Sequence, residues 1–387
     1  MSKRKKDLKN KINCFVAEFR NESKCTHSDE CNGCALLKAP YEKQIEFKKK
    51  MLNELFGFEV PIENCIEEFR YRNKIDMAYI DKILGYRTNK NFSKSFKVTE
   101  CLLVSKKMNL FINLISELLK ENEIEDADIM SRKNGLGYVT LRESQKNEIL
   151  INFVFFGEID EKINGVCEKL SNEGAASINL LFNETWSDTA YGKIIKSFGK
   201  NFIFDYVLGK KFKVGPNTFF QTNVKSAERI FSELKEKLPN KGKILDVYCG
   251  VGTISICIAE KCSKIKGIEI VEESILSAKE NAEINGITNS EFIVGSARKE
   301  LKEIEKDFDA VIVDPPRSGL DPKTIKRILE ISAKMIFYVS CNPNTLAENL
   351  KEIEGYKIEL IKGFDQFPQT PHIEMLCILV KEPNVNN

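Results

Sequence analysis

The sequence predicts an α/β protein whose carboxyl-terminal part is a doubly wound parallel sheet, preceded by an amino-terminal and central α+β lobe. Three observations predict it. From about residue 225, short apolar runs at 243–247, 265–270, 292–294, 310–313 and 335–339 alternate with helical segments, the pattern of strands buried on both faces by crossover helices. A glycine turn, Gly250-Val251-Gly252, follows the first run and opens a helix. Acids sit at or just past the ends of three runs, Asp246, Glu269 and Asp314, and so gather at the carboxyl edge where open α/β sheets place their chemistry.

The earlier regions separate by pattern. Residues up to about 60 hold a group of cysteines and then a helix over 41–56, where Ile45, Phe47, Met51, Leu52 and Leu55 recur at helical spacing. From about 66 to 205, strand-like runs at 75–80, 137–141 and 149–156 surround a helical stretch near 108–119, which is an α+β pattern. The chain thus divides into 1–65, 66–224 and 225–387, with no internal repeat.

Composition is that of a soluble globular protein, 42% hydrophobic and 30% charged, and a net charge of +2 announces no nucleic-acid partner by itself. The charge is uneven, because residues 1–11 carry six Lys or Arg against one Asp. Such an arm suits a phosphate backbone, and equally a solvated tail. No apolar core of a signal peptide follows it, and the longest apolar run, 149–156, is too short to cross a bilayer. A cytoplasmic protein without membrane contact is expected. Twelve cysteines in that compartment are better read as metal ligands, catalysts or core residues than as disulfides.

Gly250 and Gly252 let backbone approach a ligand closely, and Glu269 closes the next strand at roughly the 20-residue distance where an acid accepts ribose hydroxyls. The third glycine of a dinucleotide fingerprint is missing, and the turn resembles the S-adenosylmethionine loop of class I methyltransferases. Asp314-Pro315-Pro316-Arg317 resembles the motif of amine-methylating enzymes, except that Arg317 stands where those place a stacking aromatic. Methylation of carbon is therefore the expectation.

That chemistry needs a nucleophile. Carbon 5 of a pyrimidine attacks a methyl donor only after a thiolate has added to carbon 6, and a base must then remove the carbon-5 proton so the thiol can leave. Cys341, in Ser340-Cys341-Asn342-Pro343 after the run 335–339, sits at the same sheet edge and supplies the thiol. His372-Ile373-Glu374 offers the base, and spacing of two predicts that His372 and Glu374 share one face of a strand. Cys249, Cys257, Cys262 and Cys377 read as core residues.

Cys25, Cys31 and Cys34 form C-x5-C-x2-C, to which a distant cysteine would add a fourth thiolate. Cys101 is the best candidate, with Cys14 and Cys65 as rivals. Four thiolates suit zinc or an iron-sulfur cluster, and spacing does not choose.

Taken as a set, the cysteines from Cys25, Phe219-Phe220-Gln221-Thr222-Asn223, Asp246 to Gly252, Asp314 to Arg317, Ser340 to Pro343 and His372-Ile373-Glu374 resemble the RNA (uracil-5-)-methyltransferase family. The resemblance implies a class I, Rossmann-like S-adenosylmethionine methyltransferase domain with an RNA-binding lobe, Cys341 as nucleophile and Glu374 as base. It implies cofactor contacts at Gln221, Tyr248, Glu269 and Asp314, with Thr253 and Ser296 as further contacts. It also implies a 4Fe-4S cluster on Cys25, Cys31, Cys34 and Cys101. Relatives that modify ribosomal RNA commonly begin with a small β-barrel, for which 24 residues before Cys25 leave no room. Shorter relatives acting on 23S ribosomal RNA lack it too, and the cysteines tilt the expectation toward 23S ribosomal RNA, with the transfer RNA T-loop as the alternative. A cytosine-5 enzyme and a noncatalytic RNA-binding factor are the more distant alternatives, and no obligate protein partner is expected. RNA contact is expected at Arg70-Tyr71-Arg72-Asn73-Lys74, where basic groups flank an aromatic ring, and at Phe219 and Phe220, beside which a flipped base would lie.

Overall fold

The computed structural model describes residues 3–19, 23–88 and 91–383, so Met1 and Ser2 of the basic arm lie outside the described residues. Helices α1 (Lys3–Ala17) and α2 (Tyr41–Phe56) and strand β1 (Ile62–Glu63) come first. The central region holds β2 (Lys74–Ile80), β3 (Ile83–Arg87), β4 (Ser95–Lys97), α3 (Lys106–Glu121), β5 (Gly135–Glu143), β6 (Ile149–Phe156), α4 (Ile163–Asn172), β7 (Ser177–Phe182) and β8 (Lys193–Gly199). A hairpin, β9 (Ile203–Val207) and β10 (Lys210–Val214), leads to α5 (Val224–Lys237). Then follow β11 (Gly242–Val247), α6 (Thr253–Ile258), β12 (Cys262–Glu269), α7 (Glu272–Ile284), β13 (Ser290–Val294), α8 (Ala297–Glu303), β14 (Ala310–Val313) and α9 (Pro322–Ile331). The chain closes with β15 (Met335–Ser340), α10 (Pro343–Leu350), β16 (Tyr356–Phe364) and β17 (Glu374–Lys381).

The carboxyl-terminal strands form an eight-stranded sheet in the order β1-β16-β17-β15-β14-β11-β12-β13. Strands β11 to β15 are parallel, as expected, but β17 runs antiparallel to both β15 and β16. The parallel expectation, made for the runs from 243 to 339, did not reach β17, which runs antiparallel because loop 365–373 turns the chain straight back, without the crossover helix that parallel pairing needs. Strand order reverses between β11 and β14, which opens a crevice at their carboxyl ends. Successive residues face opposite cores: Ile312 and Phe337 join the layer under α5 to α7, while Val311, Val313 and Tyr338 join the layer under α8 to α10. The segment before residue 66 is joined to this sheet, since β1 pairs with β16 and Leu52 of α2 lies in the second core layer.

The central strands form a seven-stranded sheet in the order β4-β3-β2-β5-β6-β7-β8. One face packs on α3, which Ser105 caps by accepting from the amide of Met108 at 2.9 Å and whose Met108, Phe111, Ile112 and Ile115 are buried. The other face carries a buried polar ladder: Asn152 donates to Thr140 Oγ1 at 2.7 Å, and Asn179 donates to Asn152 Oδ1 at 3.0 Å. Asn152 also donates to the carbonyl of Pro216 and Arg142 to that of Thr218, at 3.3 and 3.2 Å, so this face holds the loop that ends in Gln221. Strands β7 to β10 escaped the sequence reading, for β8 alternates poorly and lies largely exposed at the sheet edge.

Candidate active site

Strand β15 delivers Cys341 one residue beyond its end, and Asn342 then caps α10 by accepting from the amide of Asn344 at 3.2 Å, with Pro343 in the first turn. Ser340 pairs with Met375 across β15 and β17. Extending that antiparallel register by one residue sets Cys341 opposite Glu374. Glu374 is only 7% exposed. Burial pushes its carboxyl well above the usual range, and nearby Asp314 adds to this while Arg317 opposes it. The Cys341 thiol, half-buried, is pushed up to about 11 by burial, then by Glu374 and Asp314, again against Arg317. One thiol, two carboxyls and one guanidinium therefore share a field.

His372 does not join Glu374 on a strand face. Strand β17 begins only at Glu374, and His372 precedes it as an exposed ring whose Nδ1 lies 3.4 Å from the Arg317 guanidinium. Asn342 Nδ2 donates to the Arg317 carbonyl at 2.9 Å, tying the two turns together. These groups open onto a cleft of about 960 Å³ lined by Cys341, Arg317, His372, Lys48 and part of α1.

Beside it, the strand ends of β11, β12 and β14 meet. Asp246 is fully buried; Ser255 donates to its Oδ2 at 2.6 Å, while its Oδ1 has no partner. Its carboxyl is pushed up to about 6 by burial, and Asp314 is pushed up to about 7 by desolvation and then by Asp246. Gly250 and Gly252 adopt φ of +55° and +78°, and a Cβ at Gly250 would meet nothing within 4 Å. Glu269 accepts from the amides of Ile270 and Val271 at 2.8 and 3.0 Å and of Gly250 at 3.3 Å, which fixes its carboxylate at the crevice. Tyr248 takes a positive φ of 68° and is partly buried, its hydroxyl bonded to Thr324. Gln221 accepts at Oε1 from Gln366 Nε2 at 3.1 Å. Thr253 starts α6 and Ser296 precedes α8, both partly exposed at the carboxyl ends of β11 and β13. The orphaned Asp246 oxygen, the open space at Gly250 and the acid at Glu269 fit a nucleoside-bearing cationic cofactor.

Sequence reasoning missed the loop 365–373, which links these parts. Lys48 Nζ donates to Asp365 at 2.5 Å with both side chains buried. Gln44 donates to Gln369 Oε1 at 2.8 Å and accepts from the Gln369 amide at 2.9 Å. Tyr71 donates to the Pro368 carbonyl at 3.0 Å, Asn223 to that of Gln366 at 2.8 Å, and the Leu36 amide to that of Gln369 at 2.9 Å. The signal was there, as polar residues and two prolines between two apolar strands, but such a run reads as an ordinary turn.

The expected RNA contacts at 70–74 are otherwise engaged. Arg70 donates to the carbonyls of Cys101 and Val104 at 3.0 and 2.8 Å, Tyr71 is 7% exposed, and Lys74 pairs with Asp76. Phe220 is buried against Phe212, leaving Phe219, 70% exposed, as the ring open to a ligand.

Cys25, Cys31, Cys34 and Cys101 line one cavity of about 30 Å³. The rivals lie apart, Cys14 exposed on α1 and Cys65 with its amide bonded to Tyr41. The Cys34 thiol is pushed up to about 12 by burial and by Cys101, Cys31 and Cys25 in turn, and the Gly33 amide donates to Cys31 Sγ at 3.3 Å. Among the described residues no group of three or more cysteine, histidine or carboxylate side chains already stands in metal-holding geometry.

Comparison with known proteins agrees with this geometry. A tRNA (uracil(54)-C(5))-methyltransferase of Pyrococcus furiosus is 36% identical over 92% of this chain and 85% of its own length. An uncharacterized RNA methyltransferase of Clostridium tetani is 35% identical over 96% of this chain and 87% of its own. The crystal structure of the Pyrococcus abyssi tRNA (uracil-54, C5)-methyltransferase in complex with S-adenosyl-L-homocysteine superposes with a TM-score of 0.80 at 36% identity, covering 90% of this chain and 86% of that one. With residues 40–382 also matching the tRNA (Uracil-5-)-methyltransferase family as a whole, the chain belongs to that family.

Proposed function

We propose that the chain methylates carbon 5 of a uridine in transfer RNA, using S-adenosylmethionine and a transient bond between Cys341 and the uracil ring. The observation that carries it is the register that sets Cys341 opposite Glu374 beside Asp314. When bound, the cofactor supplies an electrophilic methyl carried on a sulfonium. Gln221, Tyr248, Thr253, Glu269, Ser296 and Asp314 would hold it, Glu269 at the ribose and Asp314 at the cationic end. Cys341 releases its thiol proton to solvent, the thiolate Sγ adds to carbon 6 of the uracil, and the displaced double-bond electrons form an enolate that makes carbon 5 nucleophilic. Glu374 takes the carbon-5 proton once the methyl is in place, the ring electrons return, and the carbon–sulfur bond breaks. The buried carboxyl, raised in proton affinity, is suited to that task. Arg317 counters both carboxyls and favours the thiolate.

Transfer RNA replaces ribosomal RNA as the preferred substrate because the relatives whose names state a target act on uracil 54 of tRNA. The four clustered cysteines would hold a 4Fe-4S cluster, with zinc as the alternative, and the polar grip of Arg70 on the Cys101 carbonyl supports that lobe. The division at residues 65 and 224 describes a cysteine-bearing segment, an RNA-binding region and a catalytic domain. Among the described residues no helix is long and apolar enough to cross a membrane.

The test is methyl transfer from isotopically labelled S-adenosylmethionine to an unmodified tRNA transcript and to 23S ribosomal RNA, with 5-methyluridine mapped by mass spectrometry. Label in the T-loop is expected. Label confined to ribosomal RNA would remove the substrate reading, and label at cytosine would remove the chemistry.

A further inference from the structure

The basic run at 70–74 is spent inside the fold, with Arg70, Arg72 and Lys74 tied to the protein's own carbonyls and carboxylates. A second basic surface is not spent. In the hairpin β9–β10 alternate residues face opposite ways: Ile203, Asp205, Val207, Phe212 and Val214 are buried, while Phe204, Tyr206, Lys211 and Lys213 form a half-exposed outer row. Register sets Lys213 opposite Phe204 and Lys211 opposite Tyr206, so rings and ammonium groups share the outer face.

Each ring carries a cation. Lys211 Nζ lies 3.7 Å from the ring centroid of Phe204, and Lys213 Nζ lies 4.6 Å from that of Phe202. Lys200, just after β8, adds a second ammonium 5.7 Å from the Phe202 centroid, and Lys146, in the turn between β5 and β6, sits 5.6 Å from that of Tyr206. All four distances fall within reach of a cation–π attraction. Phe202 and Phe204 brace each other edge-on, with centroids 5.2 Å apart. Two carboxylates touch this face, and both are engaged: Glu280 pairs with Lys213 at 2.7 Å, and Glu148 accepts from the Phe204 amide at 3.0 Å. Lys146, Lys200 and Lys211 form no ion pair among the described residues. The inner row already seats the hairpin in the core, so these three charges are not needed to hold it.

We infer that this row of ring-mounted lysines grips the phosphate backbone of the RNA substrate, away from the target uridine. The inference rests on the reading of the chain as an RNA methyltransferase. A ring beneath each ammonium limits its motion, which lowers the freedom lost when a phosphate is bound, and the two lysines on β10 stand about 7 Å apart along the strand. Gln221 follows Lys213 by eight residues, so the row lies no more than about 29 Å from Gln221 at the cofactor crevice, a reach that one folded RNA spans. The occupant is RNA and not a lipid surface, because the rings lie under the cations and offer no bare apolar anchor. Phosphate contacts of this kind position the nucleic acid without reading its sequence.

Fluorescence anisotropy with an unmodified tRNA transcript, measured over a range of salt, tests it on four proteins: the full chain, a triple variant with Lys146→Ala, Lys200→Ala and Lys211→Ala, the same triple changed to Arg, and a double variant with Lys146→Glu and Lys200→Glu, two exposed positions. The alanine triple should bind the transcript about tenfold more weakly, with a salt dependence shallower by about two to three ions, since each phosphate contact contributes a little under one. The glutamate double should lose at least as much, and the arginine triple should bind like the full chain. S-adenosylmethionine affinity and kcat at saturating RNA should be unchanged in all. Unaltered RNA binding in either charge-removing variant overturns the inference, and so does an equal loss in the arginine triple. Binding to phosphatidylserine vesicles that disappears in these variants while RNA binding stays would assign the face to a membrane instead. If the full chain neither binds nor methylates any RNA, the reading beneath the inference fails, an outcome seen before any variant is made.

Discussion

Two thiol sites in this molecule look alike in one respect and differ in the one that matters. Cys341 and Cys34 are both half-buried and both hold their protons far above the ordinary thiol range. For Cys34 the neighbours that add to burial are three other sulfurs, whereas for Cys341 they are two carboxyls, with a guanidinium working against them. Sulfurs that raise one another are relieved together by a bound cation. A lone sulfur facing two carboxyls instead keeps its proton at rest, and the Arg317 guanidinium favours its thiolate. The kind of neighbour, not the size of the shift, distinguishes the two sites.

The difference breaks most sharply under substitution. Cys341→Ala should lower methyl transfer by about 10⁴-fold or more, while Glu374→Gln should let a protein–RNA adduct accumulate, seen as a slow band on a denaturing gel. Adduct in Cys341→Ala would place the nucleophile elsewhere. Next in size, Cys34→Ser should empty anaerobically purified protein of iron and lower Tm by about 5 °C, whereas Cys341→Ser should change neither. Iron retained in Cys34→Ser, or a colourless native protein with one zinc, would undo the cluster.

Smaller effects sharpen the contrast. With the Cys341 thiol at about 11, little thiolate exists at neutrality, so its alkylation by iodoacetamide, followed by peptide mass spectrometry, should rise about tenfold per pH unit from 7 to 9. Arg317→Ala removes the opposing charge and should slow the reaction severalfold; a plateau by pH 8 in the native protein would contradict this. Smallest is Asp246→Asn. Burial raises this carboxyl to about 6 in the folded protein, above its unfolded value, so its contribution to stability is present below about pH 4 and lost as pH rises through 6. The Asn variant should therefore melt about 2 °C higher than the native protein at pH 8 and alike at pH 4, with weaker cofactor binding. A lower Tm at pH 8 would count against it.

The parts legible in the sequence are those where local pattern and tertiary role coincide. Helix α2 and strands β6 and β14 fall where the periodicity put them, because each is packed along its whole length. Cys341, Asp246, Glu269 and Asp314 were legible because strand ends in a parallel sheet converge by topology alone. His372 was misplaced because a spacing of two says nothing unless both residues lie inside the strand. Arg70, Tyr71 and Arg72 misled in a different way: a basic-aromatic run looks the same whether its donors face solvent or backbone carbonyls of the protein itself. The loop 365–373 was silent, since its partners lie hundreds of residues off in sequence.

That loop has a mechanical consequence. Its carbonyls accept from Leu36 on the cysteine-bearing segment, Tyr71 of the central region and Asn223 at the head of α5, all within a few residues of Glu374. Stitched at three corners, the lobes are poorly free to swing shut over a substrate as a clamshell does. On the proposed reading, the substrate has to come the rest of the way, into a cleft that already stands open.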